Sequence, residues 1–384
     1  MVVKKLYAVI LYYVGFLAYA AEYFFLADHL FKLLKEVYSK LEQSSKLSSR
    51  EYWHWGSITI RQAGGYHFAD KYFEKAFNKK RKSLYLVNYL NAQDSMGQLD
   101  TAKLQSLLPL MQAHVTKDKH VISVFLLLKK YKVPGAEYFY KKISTSLLPE
   151  LQKKYIAFKE KSFFEEFSQH SDKLFNDMIA YLKANKGKIA LVGNSSCEKG
   201  LKKGQLIDAH NIVIRFNNYH ITPDFAVDYG SKVSIWVRGG NRRIEDRQIE
   251  DNIYVLFALR DLLFKKYRLD YLLKLQSEGR LATFIPAIVY QELMTKLGSK
   301  PSVGILMLYI IDKYVGGLSA DNVFGFSFID HLEPHVSSHY FEKHQTNLCH
   351  NWRGERKLYE EILKQPAKER ENLGIDVQMK YNPQ

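Results

Sequence analysis

Short runs of apolar and β-branched residues in the second half of the chain constrain its fold more than any other feature. The runs cover 188–193, 211–216, 232–237, 252–259 and 321–328. Helical or loop segments separate them, and strands that alternate with helices are typical of α/β domains with a mainly parallel sheet. We therefore predict an α/β domain with a mainly parallel sheet in this part of the chain.

The first ~150 residues have the apolar periodicity of helices joined by short loops. Four of them match the Trp, Ala, aromatic and Ala positions of a tetratricopeptide repeat, namely Trp53, Ala69, Phe73 and Ala76. A weaker match follows in 84–111. We predict an all-α, tetratricopeptide-like domain over 1–155 and the α/β domain over 156–384, with a generic helical bundle as the alternative for the first.

The first chemically informative stretch begins where a predicted buried strand ends, at Val192. Gly193 permits a sharp turn with close backbone approach, and Asn194 and Ser195 supply polar side chains beside it. The ends of strands in α/β sheets are where such folds bind ligands. Neither the GxGxxG fingerprint of dinucleotide binding nor the GxxxxGK[ST] phosphate loop is present.

The second stretch, 300–315, predicts a capped helix. Ser299 or Ser302 can supply the cap, and Pro301 can open the helix. The unpaired N–H groups and the dipole of such an N-terminus favour negative charge, so it is suited to a phosphate. An ordinary capped core helix is the other interpretation of this stretch taken alone.

Two short histidine-containing motifs follow, HYFE at 339–342 and HNWRGE at 350–355. In their order along the chain, the four stretches resemble the large, small, third and very small motifs of the sialyltransferases in glycosyltransferase family 29. The parts of the large motif correspond to Val192–Ser195, Ile207–Asn217 and Asp228–Lys232. Each motif is modest alone, and their joint occurrence is specific.

The resemblance implies a fold, a donor and roles for individual residues. It implies a Rossmann-like glycosyltransferase domain of the GT-A-like variant, which binds a CMP-activated sugar and transfers it with inversion. Contacts to this donor are expected from Gly193, Asn194, Ser195, Asn217, Ser302, Gly304, Tyr340 and Glu355. Val303 replaces the usual hydroxyl residue of the small motif, so one contact is expected to be missing.

Two histidines are the candidate catalytic residues. By the resemblance, His350 is the general base that takes the proton of the acceptor hydroxyl, a task that suits a group titrating near neutrality. His339 would stabilise the charge that develops on the leaving phosphate, and Tyr340 would add a hydrogen bond to it. Glu355 would either orient His350 or cap a helix.

Neither a cofactor nor a divalent metal is implied by the family. Asp224 and Asp228 lie within the large motif, and we expect them to be structural rather than a metal pair. Cys197 and Cys349 have no metal-ligand spacing, and we expect two free thiols. The small motif lacks the cysteine that forms a disulfide with the large motif in eukaryotic members. This departure favours a reducing cytoplasm and a bacterial origin.

The motifs recognise mainly CMP and therefore leave two donors open, CMP-sialic acid and CMP-Kdo. Both sugars carry a carboxylate beside the anomeric carbon, and both fit the synthesis of a capsule, a lipopolysaccharide or another surface glycan, with a glycan hydroxyl as acceptor. The alternative from another functional class is a helical scaffold with a degenerate, non-catalytic CMP-binding domain. The set His339, Glu342, His350 and Glu355 argues against that alternative.

The formal net charge of +16 favours anionic partners, but no nucleic-acid-binding motif accompanies the scattered basic residues. Residues 6–27 carry one charge, Glu22, and are long enough to span a bilayer. They continue into an amphipathic pattern, so we favour a buried or membrane-surface first helix, with the enzyme in the cytoplasm or at the inner face of a membrane. A membrane anchor at 6–27 is the alternative, and the N-terminal helices are also a candidate surface for a protein partner.

Overall fold

The computed structural model describes residues 2–21, 23–44, 46–240, 243–267, 269–328, 339–341 and 349–364, without the side chains of Val2 and Phe25. The predicted helical region at the start of the chain is confirmed. Its helices are α1 Val2–Ala20, α2 Phe24–Gln43, α3 Ser49–Thr59, α4 Tyr66–Lys79, α5 Ser83–Ser95, α6 Thr101–His114, α7 Asp118–Lys130, α8 Ala136–Tyr140 and α9 Leu148–Lys154.

Local sequence signals explain where these helices begin and how they pack. A capping box starts α3, because Ser48 Oγ accepts from the Glu51 N–H and the Glu51 carboxylate accepts from the Ser48 N–H at 2.7 Å. Gly56 of α3 lets the Phe73 ring of α4 lie against the backbone, since a Cβ at Gly56 would be 2.7 Å from that ring. Phe73 shares a buried cluster with Ala92, so α3, α4 and α5 pack in succession.

The apolar segment predicted at 6–27 is divided between two helices, because α1 ends at Ala20 and α2 begins at Phe24. By length and composition alone, the Val3–Ala20 part of α1 is sufficient to cross a bilayer. In the structure α1 packs along α2, where Gly15 lies against the Phe31 ring. The first helix is therefore part of the helical region.

The predicted α/β domain is confirmed. Its strands are β1 Ile189–Val192, β2 Ile212–Phe216, β3 Ile235–Gly239, β4 Tyr254–Ala258, β5 Ala282–Phe284 and β6 Val323–Phe324. Within the described residues they form one sheet in the order β5-β4-β3-β2-β1-β6, with every neighbouring pair parallel. Leu191 of β1 lies between Ile214 of β2 and Val323 of β6.

Two strands differ from the sequence prediction. β5 is not among the predicted strands, because its three residues are too few to show a pattern. β6 occupies only the start of the predicted run 321–328. Gly325 takes a φ of 69° directly after it, and this left-handed conformation ends the strand.

Helices cover both faces of the sheet. They are α10 Lys161–Ala184, α11 Gly204–Asp208, α12 Pro223–Tyr229, α13 Asp270–Ser277, α14 Ala287–Leu297, α15 Val303–Tyr314 and α16 Trp352–Lys364. Leu191 faces α10, α14 and α15, while Val192 faces the side of α11 and α12. The strand ends therefore emerge between two helical layers, as in doubly wound folds.

Buried charges join the helical region to the sheet. Lys130 Nζ lies 2.8 Å from Asp94 Oδ1 and 2.7 Å from Asp261 Oδ2, and Lys265 Nζ lies 3.4 Å from Asp94 Oδ2. We call Asp94, Lys130, Asp261 and Lys265 the joint cluster. These contacts tie α5 and α7 to the segment after β4, and the domain boundary between residues 155 and 156 stays a prediction.

Candidate functional site

The carboxyl ends of β1 and β6 touch through two glycines. The Gly193 N–H donates to the Phe324 carbonyl at 2.8 Å, and the Ser195 N–H donates to the Gly325 carbonyl at 3.0 Å. A Cβ on Gly193 would lie 2.3 Å from the Gly325 oxygen, and one on Gly325 would lie 2.4 Å from the Gly193 oxygen. The predicted turn at Gly193 is therefore a backbone crossing that leaves no room for a side chain.

Asn194 spans the gap between the ends of β1 and β2. Its Nδ2 donates to the Phe216 carbonyl at 3.0 Å, and its backbone carbonyl accepts from the Tyr340 N–H at 2.9 Å. Its Oδ1 is buried and has no hydrogen-bond partner among the described residues. A buried amide oxygen without a donor costs free energy, so a ligand that supplies one is favoured here. Ser195 follows, and its carbonyl accepts from the Tyr229 hydroxyl at 2.8 Å.

Asn217 follows β2 in a left-handed conformation with a φ of 49°, which Asn tolerates better than most residues. Its Oδ1 accepts from the Gly239 N–H at the end of β3 at 2.9 Å. Because the oxygen is used, the amide nitrogen is the group that Asn217 can offer to an anion. A Cβ on Gly239 would lie 3.3 Å from Val303 Cγ2 and 3.4 Å from Asn217 Oδ1. The end of β2 and the start of α15 therefore adjoin.

Ser302 is the N-cap of α15. The sequence alone leaves Ser299 and Ser302 open for this position. Its Oγ accepts from the Ile305 N–H at 3.4 Å and donates to Glu355 Oε2 at 2.6 Å, and its N–H donates to Glu355 Oε1 at 2.8 Å. The hydroxyl is therefore used inside the protein, which differs from the expected contact with the donor. Pro301 precedes the cap instead of opening the helix.

One aromatic ring connects these elements. Phe326 lies against both motif glycines, since a Cβ on Gly304 would be 2.7 Å and one on Gly193 3.0 Å from its ring atoms. The ring also meets Phe216 edge to face at a centroid distance of 5.9 Å. The ends of β1 and β2 and the N-terminus of α15 are thus packed around Phe326.

His350 is held by its Nδ1 atom, which lies 2.8 Å from the Lys300 carbonyl oxygen. A carbonyl only accepts, so Nδ1 carries a proton and Nε2 is the nitrogen that can take one. Nδ1 is also 3.8 Å from Glu355 Oε1, and the Glu355 side chain is 0% exposed. Glu355 therefore contacts both the α15 cap and His350. The sequence alone leaves open whether it caps a helix or orients His350, and its position is compatible with both roles.

Cys349 changes the titration of His350. Burial lowers the pKa of His350, but Cys349, the Glu355 carboxylate and the Lys300 carbonyl raise it, to about 9 on balance. Burial raises the pKa of the Cys349 thiol, and the His350 imidazole outweighs burial, so that the pKa is lowered. Each group therefore stabilises the charged form of the other, and the unprotonated, basic form of His350 increases as the pH approaches its pKa.

Tyr340 closes over the end of β1. Its ring stacks on Tyr229 at a centroid distance of 4.0 Å, and its backbone N–H donates to Asn194. Its hydroxyl donates to the His220 carbonyl at 2.8 Å and accepts from the His220 N–H at 2.9 Å. The hydroxyl is therefore occupied by backbone, which differs from the expected hydrogen bond to a phosphate.

His339 precedes Tyr340 and stacks on Phe341 at a centroid distance of 5.2 Å. The backbone bond from Tyr340 to Asn194 brings His339 to the same end of the sheet as the large motif. Glu342, the acidic position of the third motif, lies outside the described residues. The role expected for His339 in stabilising a phosphate stays a prediction.

The described residues contain no group of three or more His, Cys, Asp and Glu side chains that could hold a metal ion. Asp228 accepts from the Gly200 N–H at 2.7 Å and the Lys202 N–H at 2.9 Å, and these bonds fix the loop after β1. Within the part of the chain that the structure describes, neither the exposed Cys197 nor the buried Cys349 forms a disulfide.

Sequence reasoning missed three contributors to the site, Gly325, Phe326 and the Lys300 carbonyl. A glycine directly after an apolar strand signals a turn or a close backbone approach, so the Gly325 position could have been found. The ring of Phe326 and the backbone of Lys300 have no such signal, because their contacts join segments that are distant in sequence.

A protein-family comparison covers the large motif and part of the small motif. Residues 127–309 match the family model described as glycosyltransferase family 29 (sialyltransferase). A solved structure that the chain resembles is a mammalian sialyltransferase in complex with Gal-beta-1-3GalNAc-ortho-nitrophenol. Its identity is 18%, the match covers 58% of this chain and 90% of that chain, and the TM-score is 0.34. A search of curated proteins found no match.

Proposed function

We propose, from the match of residues 127–309 to the family 29 model, that the chain is an inverting transferase using a CMP-activated 3-deoxy-ulosonic acid, either sialic acid or Kdo. The acceptor is a glycan hydroxyl in the synthesis of a surface polysaccharide or oligosaccharide. The observation that carries the proposal is the meeting of Asn194, Asn217, the α15 N-terminus and His350 in one contact network.

The nucleotide part of the donor has complementary groups at the carboxyl ends of β1 and β2. Asn194 Oδ1 is an acceptor for a ribose hydroxyl or the cytosine amino group, because its amide nitrogen is already bonded to Phe216. Asn217 offers its amide nitrogen to an anionic oxygen. Their amides attract the donor without adding a charge that would repel its phosphate and carboxylate.

The N-terminus of α15 is the site that we propose for the phosphate. The first N–H groups of a helix have no intrahelical acceptors, and those of Val303 and Gly304 are in this position. Gly304 lets the Phe326 ring lie against this helix terminus, since a Cβ there would be 2.7 Å from a ring atom. His339 adds a further donor as the phosphate gains charge.

The transfer is a single displacement. The acceptor oxygen forms a bond to the anomeric carbon while the bond from that carbon to the CMP phosphate breaks, and the electron pair leaves with CMP. His350 Nε2 takes the hydroxyl proton, and the Lys300 carbonyl and Glu355 fix the ring that receives it. Attack opposite the leaving group inverts the configuration, and the mechanism uses no divalent metal.

The two donors are distinguished by experiment. Purified full-length protein without added metal is incubated with CMP-Neu5Ac or CMP-Kdo and a panel of bacterial glycan acceptors, and CMP release is measured. Acceptor-dependent release from one donor is expected. A protein that binds neither donor nor CMP and releases nothing would be a helical scaffold with a degenerate domain, and release only after addition of a divalent cation would contradict the metal-free mechanism.

A further inference from the structure

Helix α1 has an apolar face that no part of the described chain covers. Its exposed residues recur every three or four positions and so lie on one side of the helix. They are Val3, Leu6, Tyr7, Ile10, Tyr13, Val14 and Leu17, called the outer stripe below. Each of these side chains is more than 40% exposed, so together they form a contiguous apolar surface rather than single exposed residues. An apolar outer face therefore indicates a partner.

The opposite face of α1 is fixed in the protein. Tyr12 stacks on the His54 ring at a centroid distance of 3.7 Å, and Gly15 leaves room for Phe31. The Tyr13 hydroxyl, at the edge of the outer stripe, accepts from Arg50 at 2.6 Å. A bilayer that surrounded α1 on all sides would separate these contacts and expose the core beneath them. The outer stripe is thus suited to a partner that covers one face only.

Charge distinguishes the candidate partners. α1 contains no acidic residue, and exposed basic residues lie on or beside it. Lys4 belongs to the helix, Lys46 accepts through its carbonyl from Lys5 Nζ, and Arg50 donates to the Tyr13 hydroxyl. A second copy would bring the same basic rim and a chain of net charge +16. Anionic lipid headgroups are complementary to this rim, while acyl chains accept the aliphatic residues and the interface accepts tyrosine.

We propose that the outer stripe binds the surface of an anionic lipid bilayer, with α1 lying in the plane of the interface and not crossing it. The stripe continues beyond α1 with exposed Tyr23 and Leu26 at the start of α2. The inference stands independently of the proposed transferase activity, because it uses no residue of the candidate site.

The test is co-sedimentation of the full-length protein with lipid vesicles. One set contains phosphatidylcholine alone and the other adds phosphatidylglycerol. Binding is expected to the anionic set and to weaken with salt. Ile10→Glu is expected to reduce binding about tenfold or more, because a charge replaces an apolar side chain that the bilayer would bury. Ile288→Glu is the matched control, since Ile10 and Ile288 are each 51% exposed, and it leaves binding unchanged.

Circular dichroism checks that both variants are folded. Equal binding by Ile10→Glu and the unaltered protein would overturn the proposal, and so would failure of the unaltered protein to bind anionic vesicles. A dimer in light scattering that Ile10→Glu dissociates, without vesicle binding, would assign the stripe to a second copy. Resistance of bound protein to an alkaline wash would show a spanning helix and would contradict an interfacial one.

Discussion

Gly325 is the residue whose replacement tests the crossing of β1 and β6. Its Cβ position lies 2.4 Å from the Gly193 oxygen, and Gly187 is a matched control with a φ of 79° and no atom within 4 Å. We expect Gly325→Ala to lower the free energy of unfolding by about 1–3 kcal/mol more than Gly187→Ala. Urea denaturation measures both free energies of unfolding. Equal losses in the two variants would mean that the backbone crossing accommodates a methyl group.

Cys349 is the residue that sets the titration of His350. A general base must be unprotonated, so kcat/KM is expected to rise with pH toward about 9, the raised pKa of His350. In Cys349→Ala the pH at which kcat/KM rises is expected to move down toward the ordinary imidazole pKa of 6.5. The exposed Cys197 is the control, and Cys197→Ala keeps the profile. An unchanged pH profile in Cys349→Ala would contradict the coupling between Cys349 and His350.

At the residue scale, local sequence patterns predict helix caps but not the contacts between distant parts of the chain. The Ser302 cap is predictable because serine before an apolar helical run is a local signal. The two bonds from Ser302 to Glu355 join positions 53 residues apart, and no local pattern encodes them. For the same reason no local pattern indicates that the hydroxyls of Ser302 and Tyr340 have partners inside the protein.

At the scale of elements, the joint cluster is expected to hold α5 and α7 to the sheet. Burial raises the pKa of Asp94, but Lys265 and Lys130 outweigh burial and keep the carboxyl ionised. Asp94→Asn leaves buried ammonium groups poorly compensated, so we expect a loss of about 3–5 kcal/mol in the free energy of unfolding.

Urea denaturation at neutral pH measures this loss. Glu165→Gln is the control, because its pair with Lys161 is exposed, and the expected loss is below about 1 kcal/mol. Since the folded pKa of Asp94 is lowered, its contribution is present above its ordinary value of 3.8 and is lost as the pH falls. Equal losses in the two variants would contradict a structural role for the joint cluster.

The strands also show what a sequence pattern can give. β1, β2 and β4 lie within predicted runs because central parallel strands are continuously apolar. β5 was not predicted because it has only three residues at the sheet edge. The division of 6–27 was not predicted because the residues before and after the break are mostly apolar. Hydrophobicity alone does not separate such neighbours.

At the scale of the whole molecule, the helical region followed by an α/β domain was predictable from the change of apolar period. How the two parts contact each other was not, since the contacts of Asp94 with Lys265 and of Gln291 with Asp94 join residues far apart in sequence. The candidate site belongs to this scale as well, because motifs spread over 192–355 meet only once the sheet has formed.

His350→Ala tests most directly whether this assembled site is a transferase site with His350 as its base. CMP release is measured with the donor that the unaltered protein consumes, and CMP binding is titrated on the same preparation. We expect turnover to fall about 10²–10⁴-fold with CMP affinity retained, while the exposed-histidine control His170→Ala keeps both. Full turnover in His350→Ala, or loss of CMP binding together with turnover, would contradict the assignment.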